Sequence, residues 1–101
     1  MEIKKKDIID NLEQAVIRKL YLNIGLNQED KFEFFLTAND IGQYPINKRY
    51  KEIWVNMYIN PLQLGFLAKG RDFIKTKEFD EIVENMLNDF KNEGVEIITE
   101  N

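Results

Sequence analysis

Six apolar side chains near the C-terminus, Phe79, Ile82, Val83, Met86, Leu87 and Phe90, recur at spacings of three and four. That period belongs to an α-helix and not to a strand. Gly94, just past the stripe, suits the left-handed residue that closes a helix. Glu78, Asp80 and Glu81 would fall in its first turn, where carboxylates complement the helix dipole. A helix with one apolar stripe must cover that stripe with another layer. The rest of the chain therefore has to supply a partner face. With 101 residues, 44% of them hydrophobic and 12% aromatic, it has material for one domain over residues 1–101.

The partner elements are read from the same patterns. Asp7 can cap a helix over 7–22, with Ile8, Ile9, Leu12, Val16 and Leu20 on one face and Gly25 as its stop. Lys31–Leu36 reads as a short strand that puts Phe32, Phe34 and Leu36 on one side. Thr37 with Asp40 resembles a capping box for a short helix over 38–43, ended by Gly42, Tyr44 and Pro45.

Residues 48–59 fit two templates equally well. As a helix capped by Asn47 they bury Tyr50, Ile53, Trp54 and Met57; as a strand they align Ile53, Val55, Met57 and Ile59. The Pro45-Ile46-Asn47 lead-in favours the helix. Leu62–Ala68 and Phe73–Lys77 then flank Lys69-Gly70-Arg71-Asp72 as a hairpin with a charged tip. Val95–Thr99 is a candidate terminal strand or dimer contact.

Composition narrows the chemistry. There is no Cys and no His, which removes disulfides, thiolate nucleophiles, the usual zinc sites and the Ser-His-Asp relay. No Gly-rich phosphate loop and no calcium-loop spacing occurs. The expected protein is therefore not an enzyme and has no cofactor or metal site. Absence of cysteine and of any long apolar run leaves a cytoplasmic chain without a membrane partner as the expectation.

Charge is segregated along the chain. Net charge is −4, yet residues 37–77 hold seven basic groups against three acidic ones, and residues 78–101 hold one basic and eight acidic. A local basic patch can bind nucleic acid whatever the overall sign. On the helical reading of 48–59, Lys48, Glu52, Val55 and Ile59 face outward, flanked by Arg49, Lys51 and Asn56. Arg49 or Asn56 could reach base edges while Lys48 and Lys51 hold phosphates. The hairpin is better suited, with Lys69, Arg71, Lys75 and Lys77 close together and Gly70 allowing close backbone approach. Arg71 at a narrow tip would fit a minor groove.

The order helix, strand, helix, helix, hairpin, helix resembles the winged helix-turn-helix family, an α+β fold. Its marks here are Phe34–Gly42, Asn47–Ile59 and the wing Leu62–Lys77. Within that family the chain looks like the small relaxosome accessory proteins of clostridial conjugative plasmids. The resemblance implies a homodimer bound to double-stranded DNA near an origin of transfer, helping a relaxase without cutting DNA itself. An accessory or regulatory role on a bacterial mobile element follows. The alternative is a protein-binding immunity or inhibitor module that presents its acidic last helix to a basic partner, with 48–60 as a strand.

Overall fold

A computed structural model describes residues 2–22, 27–39 and 51–99. The architecture is α+β, mostly helical with one two-stranded sheet. Strand β1 (Glu2–Lys4) leads directly into α1 (Lys5–Ile17), and a 3-10 turn (Leu20–Leu22) follows. Then come α2 (Gln28–Ala38), α3 (Lys51–Trp54), a π-helical segment (Val55–Ile59) and α4 (Asn60–Lys69). A 3-10 helix (Gly70–Lys75), α5 (Lys77–Asn92) and β2 (Glu96–Ile98) complete the chain.

Helix α5 behaves as its stripe requires. All six stripe residues are buried, each contributing roughly 1.5–3 kcal/mol of gross burial energy. The Thr76 hydroxyl accepts the Phe79 N–H at 3.2 Å and caps the start. At the other end Gly94 takes φ +87°. The Gly94 N–H donates to the Lys91 carbonyl (3.0 Å) and the Val95 N–H to the Phe90 carbonyl (3.1 Å). That pair of bonds is the Schellman closure, with buried Val95 packed on the core as such closures favour. Turning back, the chain lays β2 parallel to β1, with Ile3 opposite Ile97. The terminal strand thus pairs within the chain. Its partner, Glu2-Ile3-Lys4, carries a single apolar residue and no strand pattern of its own.

Helix α1 starts at Lys5, two residues earlier than expected, and ends at Ile17, short of the expected 22, with Lys19 at φ 57° breaking it from the 3-10 turn. Asp7 lies in its first turn, and the capping position, Lys4, makes no side-chain bond.

Lys31–Leu36 is not a strand; it lies inside α2. Asn27 caps that helix by accepting the Asp30 N–H at 2.9 Å. Phe32 and Leu36, four apart, are its buried residues, and Phe35 packs beside them. The apolar run satisfies both periods, and the Asn27 cap with the facing helical layer selects the helical one. Thr37 consequently donates to the Glu33 carbonyl (3.0 Å) within α2 and caps nothing. Gly25, the remainder of the expected 38–43 helix, Asn47 and Tyr50 lie outside the described residues.

Residues 51–59 are helical, and the strand reading of this stretch is corrected with it. The helix runs without interruption from α3 through the π segment into α4, since Trp54, Ile59 and Asn60 all keep right-handed helical angles. Pro61 supplies a reason for the π segment. Its nitrogen cannot donate back to residue 57, and its ring crowds the carbonyl there. A wider turn just before it relieves that crowding.

The expected inward face is rotated. Trp54, Val55, Tyr58 and Ile59 are buried, whereas Ile53 and Met57 are exposed. Trp54 packs edge-on against Tyr58 (4.8 Å between ring centroids), Phe90 (5.6 Å) and Phe32 (6.5 Å). This cluster ties α2, the central helix and α5 together.

The hairpin over 62–77 is not formed. Leu62 and Phe66 continue the buried face of the central helix, and Phe73 from the 3-10 helix folds back against Phe66 (5.2 Å) and Phe79 (5.7 Å). Apolar spacing of four, Leu62 to Phe66, on a helix already running from residue 51 favours helix over strand here. The expected order helix, strand, helix, helix, hairpin, helix is therefore corrected: neither its strand over 31–36 nor its β wing over 62–77 is formed.

Behind α5, the Tyr58 hydroxyl donates to the Asp89 carboxylate. Burial first, then that bond and the nearby negative charge, raise the phenol's pKa above its ordinary value of 10.0. A raised folded-state pKa contributes stability that is intact below pH 10 and is lost as pH rises beyond it. Thermal melts at pH 8 and at about pH 10.5 should therefore differ more for the native sequence than for Tyr58→Phe, which removes the ionising group. Equal alkaline losses would show that Tyr58 does not carry the effect.

Candidate nucleic-acid interface

Four expected phosphate or groove ligands, Lys69, Arg71, Lys75 and Lys77, remain close together, now on the 3-10 helix and its flanks. Gly70 begins that turn with φ +58°, a conformation that disfavours any residue with a Cβ. The glycine thus does the conformational work expected of a tip. It joins a helix to a 3-10 helix and not two strands.

Their charges are not equally available. Arg71 donates to the Glu13 carboxylate of α1 through its Nε (2.9 Å) and also through Nη2. Lys75 lies 3.9 Å from Asp72, both well exposed. Among the described residues Lys69 and Lys77 are exposed and have no ion-pair partner. Beside the turn, Glu13, Arg71, Asp72, Ile74 and Lys75 line a groove of about 400 Å³. Surface pairs of this kind are worth little in water and yield readily to a stronger anion.

The third-helix ligands are less well served. Lys51 pairs with Glu29 of α2 at 3.2 Å. Asn56 is exposed on the π segment. Lys48 and Arg49 lie outside the described residues. The outward face assigned to Val55 and Ile59 is corrected, since both are buried. Their places on the surface are taken by Ile53 and Met57.

Two features were not anticipated. Glu13 falls on the polar face of α1, and only the packing of α1 beside the 3-10 helix makes it the neutraliser of Arg71. A cavity of about 50 Å³ lies between α1, α2 and α4, lined by Val16, Phe35, Leu62, Phe66, Lys31 and Asn39 among others. Asn39 donates from Nδ2 to the Phe35 carbonyl (2.9 Å), while its buried Oδ1 has no partner among the described residues. That volume admits water, and a polar lining atom is where buried water is found.

Glu78, Asp80, Glu81 and Glu84 of α5 are exposed, and Lys5 pairs with Glu84. Among the described residues no three acidic side chains converge as a metal site would require. No helix among them is long and apolar enough to cross a membrane.

Fold and surface together define a mostly helical α+β chain with a basic turn between α4 and α5. No protein-family profile, curated protein or solved structure matches the chain.

Proposed function

We propose that the chain is a non-enzymatic double-stranded DNA-binding protein, an accessory or regulatory factor of a bacterial mobile element. The observation that carries this reading is the cluster of Lys69, Arg71, Lys75 and Lys77 around a six-residue turn, with Lys69 and Lys77 unpaired among the described residues. In this reading the 3-10 turn does the work that a β wing does in the winged-helix family. Phosphate displaces Glu13 and Asp72 from their cations, and Arg71 then enters the groove or grips the backbone. A conjugative relaxosome, with a relaxase as protein partner, is the setting the sequence resemblance implies.

Binding should be electrostatic. With four phosphate contacts, the slope of log K against log salt should be about −3 to −4, measured by fluorescence anisotropy on a labelled duplex. Arg71→Ala should weaken binding about ten-fold or more, more than Arg49→Ala does. Lys69→Ala should act less and equally on all sequences. Glu13→Gln should tighten binding several-fold at low salt, because Arg71 no longer has to leave a carboxylate. A flat salt response, or no binding at about 50 mM salt, would overturn the reading.

The protein-binding alternative is favoured by one feature, the exposed Glu78, Glu81 and Glu84 on α5. It requires that reversing Glu81 and Glu84 to Lys abolish capture of a basic protein partner while leaving duplex binding absent before and after.

A further inference from the structure

The central helix leaves large apolar side chains in water. Ile53 is 45% exposed, Met57 51%, Leu64 67% and Leu67 45%, all on the side of the 51–69 helix opposite Trp54, Tyr58, Leu62 and Phe66. Burying such a set inside the chain would need another layer, and among the described residues none covers it. Single exposed leucines are ordinary, but four large aliphatic side chains on the exposed side of one helix are material for an interface.

We propose that this face is a dimer interface, pairing with the same face of a second copy of this chain in an antiparallel arrangement about a two-fold axis between Asn60 and Pro61. The pattern itself selects the occupant. An isologous interface requires a surface that is its own complement under the two-fold. In an antiparallel pair centred between Asn60 and Pro61, Met57 lies opposite Leu64 of the second copy and Ile53 falls beside Leu67. Glu52, just outside one end of the stripe, lies opposite Lys69 just outside the other. Both are exposed and neither has an ion-pair partner among the described residues. A parallel pair would set Glu52 against Glu52 and Lys69 against Lys69, which repels at both ends.

The area fits a modest dimer. Four half-exposed aliphatic side chains offer roughly 400 Å² of apolar surface per protomer, near 800 Å² across the two-fold before the polar rim is added. That lies below the roughly 1,000–1,200 Å² at which specific interfaces begin until the polar rim is added, so a weak dimer, populated at tens to hundreds of micromolar, is expected. The homodimer expected from sequence thus has its contact on the central helix, in place of the terminal strand.

Coupled to the DNA-binding reading, on which this last consequence alone rests, the geometry has a use. Residue 70 lies about ten residues from the axis, so the two basic turns stand about 30 Å apart along the paired helices. One turn of B-DNA separates half-sites by about 34 Å.

Sedimentation equilibrium on the full chain between about 1 and 200 µM tests the interface without DNA. The native sequence should show a monomer–dimer equilibrium, and Leu64→Lys should weaken it at least ten-fold while its circular-dichroism melt is unchanged. Glu52→Lys and Lys69→Glu should each weaken it, and the double exchange should restore it. Only an antiparallel pair produces that restoration. A monomer throughout, or a dimer indifferent to Leu64→Lys, overturns the proposal. Salt-dependent duplex binding is measured separately, so a dimer that ignores DNA would sink the nucleic-acid reading and leave this interface standing.

Discussion

Gly65→Ala is expected to destabilise the protein by about 3 kcal/mol, lowering its melting temperature by roughly 10 °C or more. A Cβ built on Gly65 falls far inside contact distance of three ring carbons of Phe73. That ring is fully buried and wedged against Phe66 and Phe79, so it has no room to retreat. The sign of the effect is diagnostic. On an exposed helix, or in a strand of the hairpin read from the sequence, Ala in place of Gly would stabilise by up to about 1 kcal/mol. Phe73→Leu should cost less alone, and the pair Gly65→Ala with Phe73→Leu should cost less than their sum, because the smaller side chain makes way. A neutral Gly65→Ala with additive behaviour would show that Phe73 does not lie over α4.

Trp54→Ala should cost about 3–5 kcal/mol, a large share of the 5–15 kcal/mol typical of a domain. Its indole contacts Phe32, Tyr58 and Phe90 from three different elements, and no neighbour can collapse into the space without leaving its own packing. Trp54→Phe should recover most of the loss. The phase of the helix is tested by comparing Val55→Ala with Ile53→Ala in urea unfolding at protein concentrations low enough to keep the chain monomeric. Val55 is fully buried and Ile53 is nearly half exposed. The first should therefore lose more than 1 kcal/mol and the second about 0.5 kcal/mol or less. The reverse order would restore the inward face that Tyr50, Ile53, Trp54 and Met57 suggest on a regular helical wheel.

Those two tests fall where sequence and structure part. Helices α1 and α5 were legible because each carries enough apolar residues at one period to exclude the other. At α5 the Gly after the stripe marked the C-terminal end, whereas Thr76, read as part of a hairpin strand, is the N-cap only in the structure. The terminal strand was legible from its β-branched run. The strand it pairs with was not, because Glu2-Ile3-Lys4 has a single apolar residue and becomes a strand only when α5 returns the chain beside it.

Phe32–Leu36 and Leu62–Ala68 are short apolar runs that fit a strand or a helix equally. Local propensity is too weak to choose; the facing layer chooses, and here that layer is helical. The π segment ahead of Pro61 had a further effect, since it shifts the register of every residue around it and turns Ile53 and Met57 outward. Of the basic residues, the clustering from Lys69 to Lys77 could be read directly from their proximity in the chain. What only the tertiary structure decided is which of them are free, because Glu13 and Glu29 reach Arg71 and Lys51 from helices 58 and 22 residues away in sequence. Chain-local chemistry determined the elements with strong periods and the location of the charge. Long-range packing determined the period of the ambiguous runs, the face each helix shows to water, and the partners of its cations, because burial and ion pairing are properties of neighbours in space.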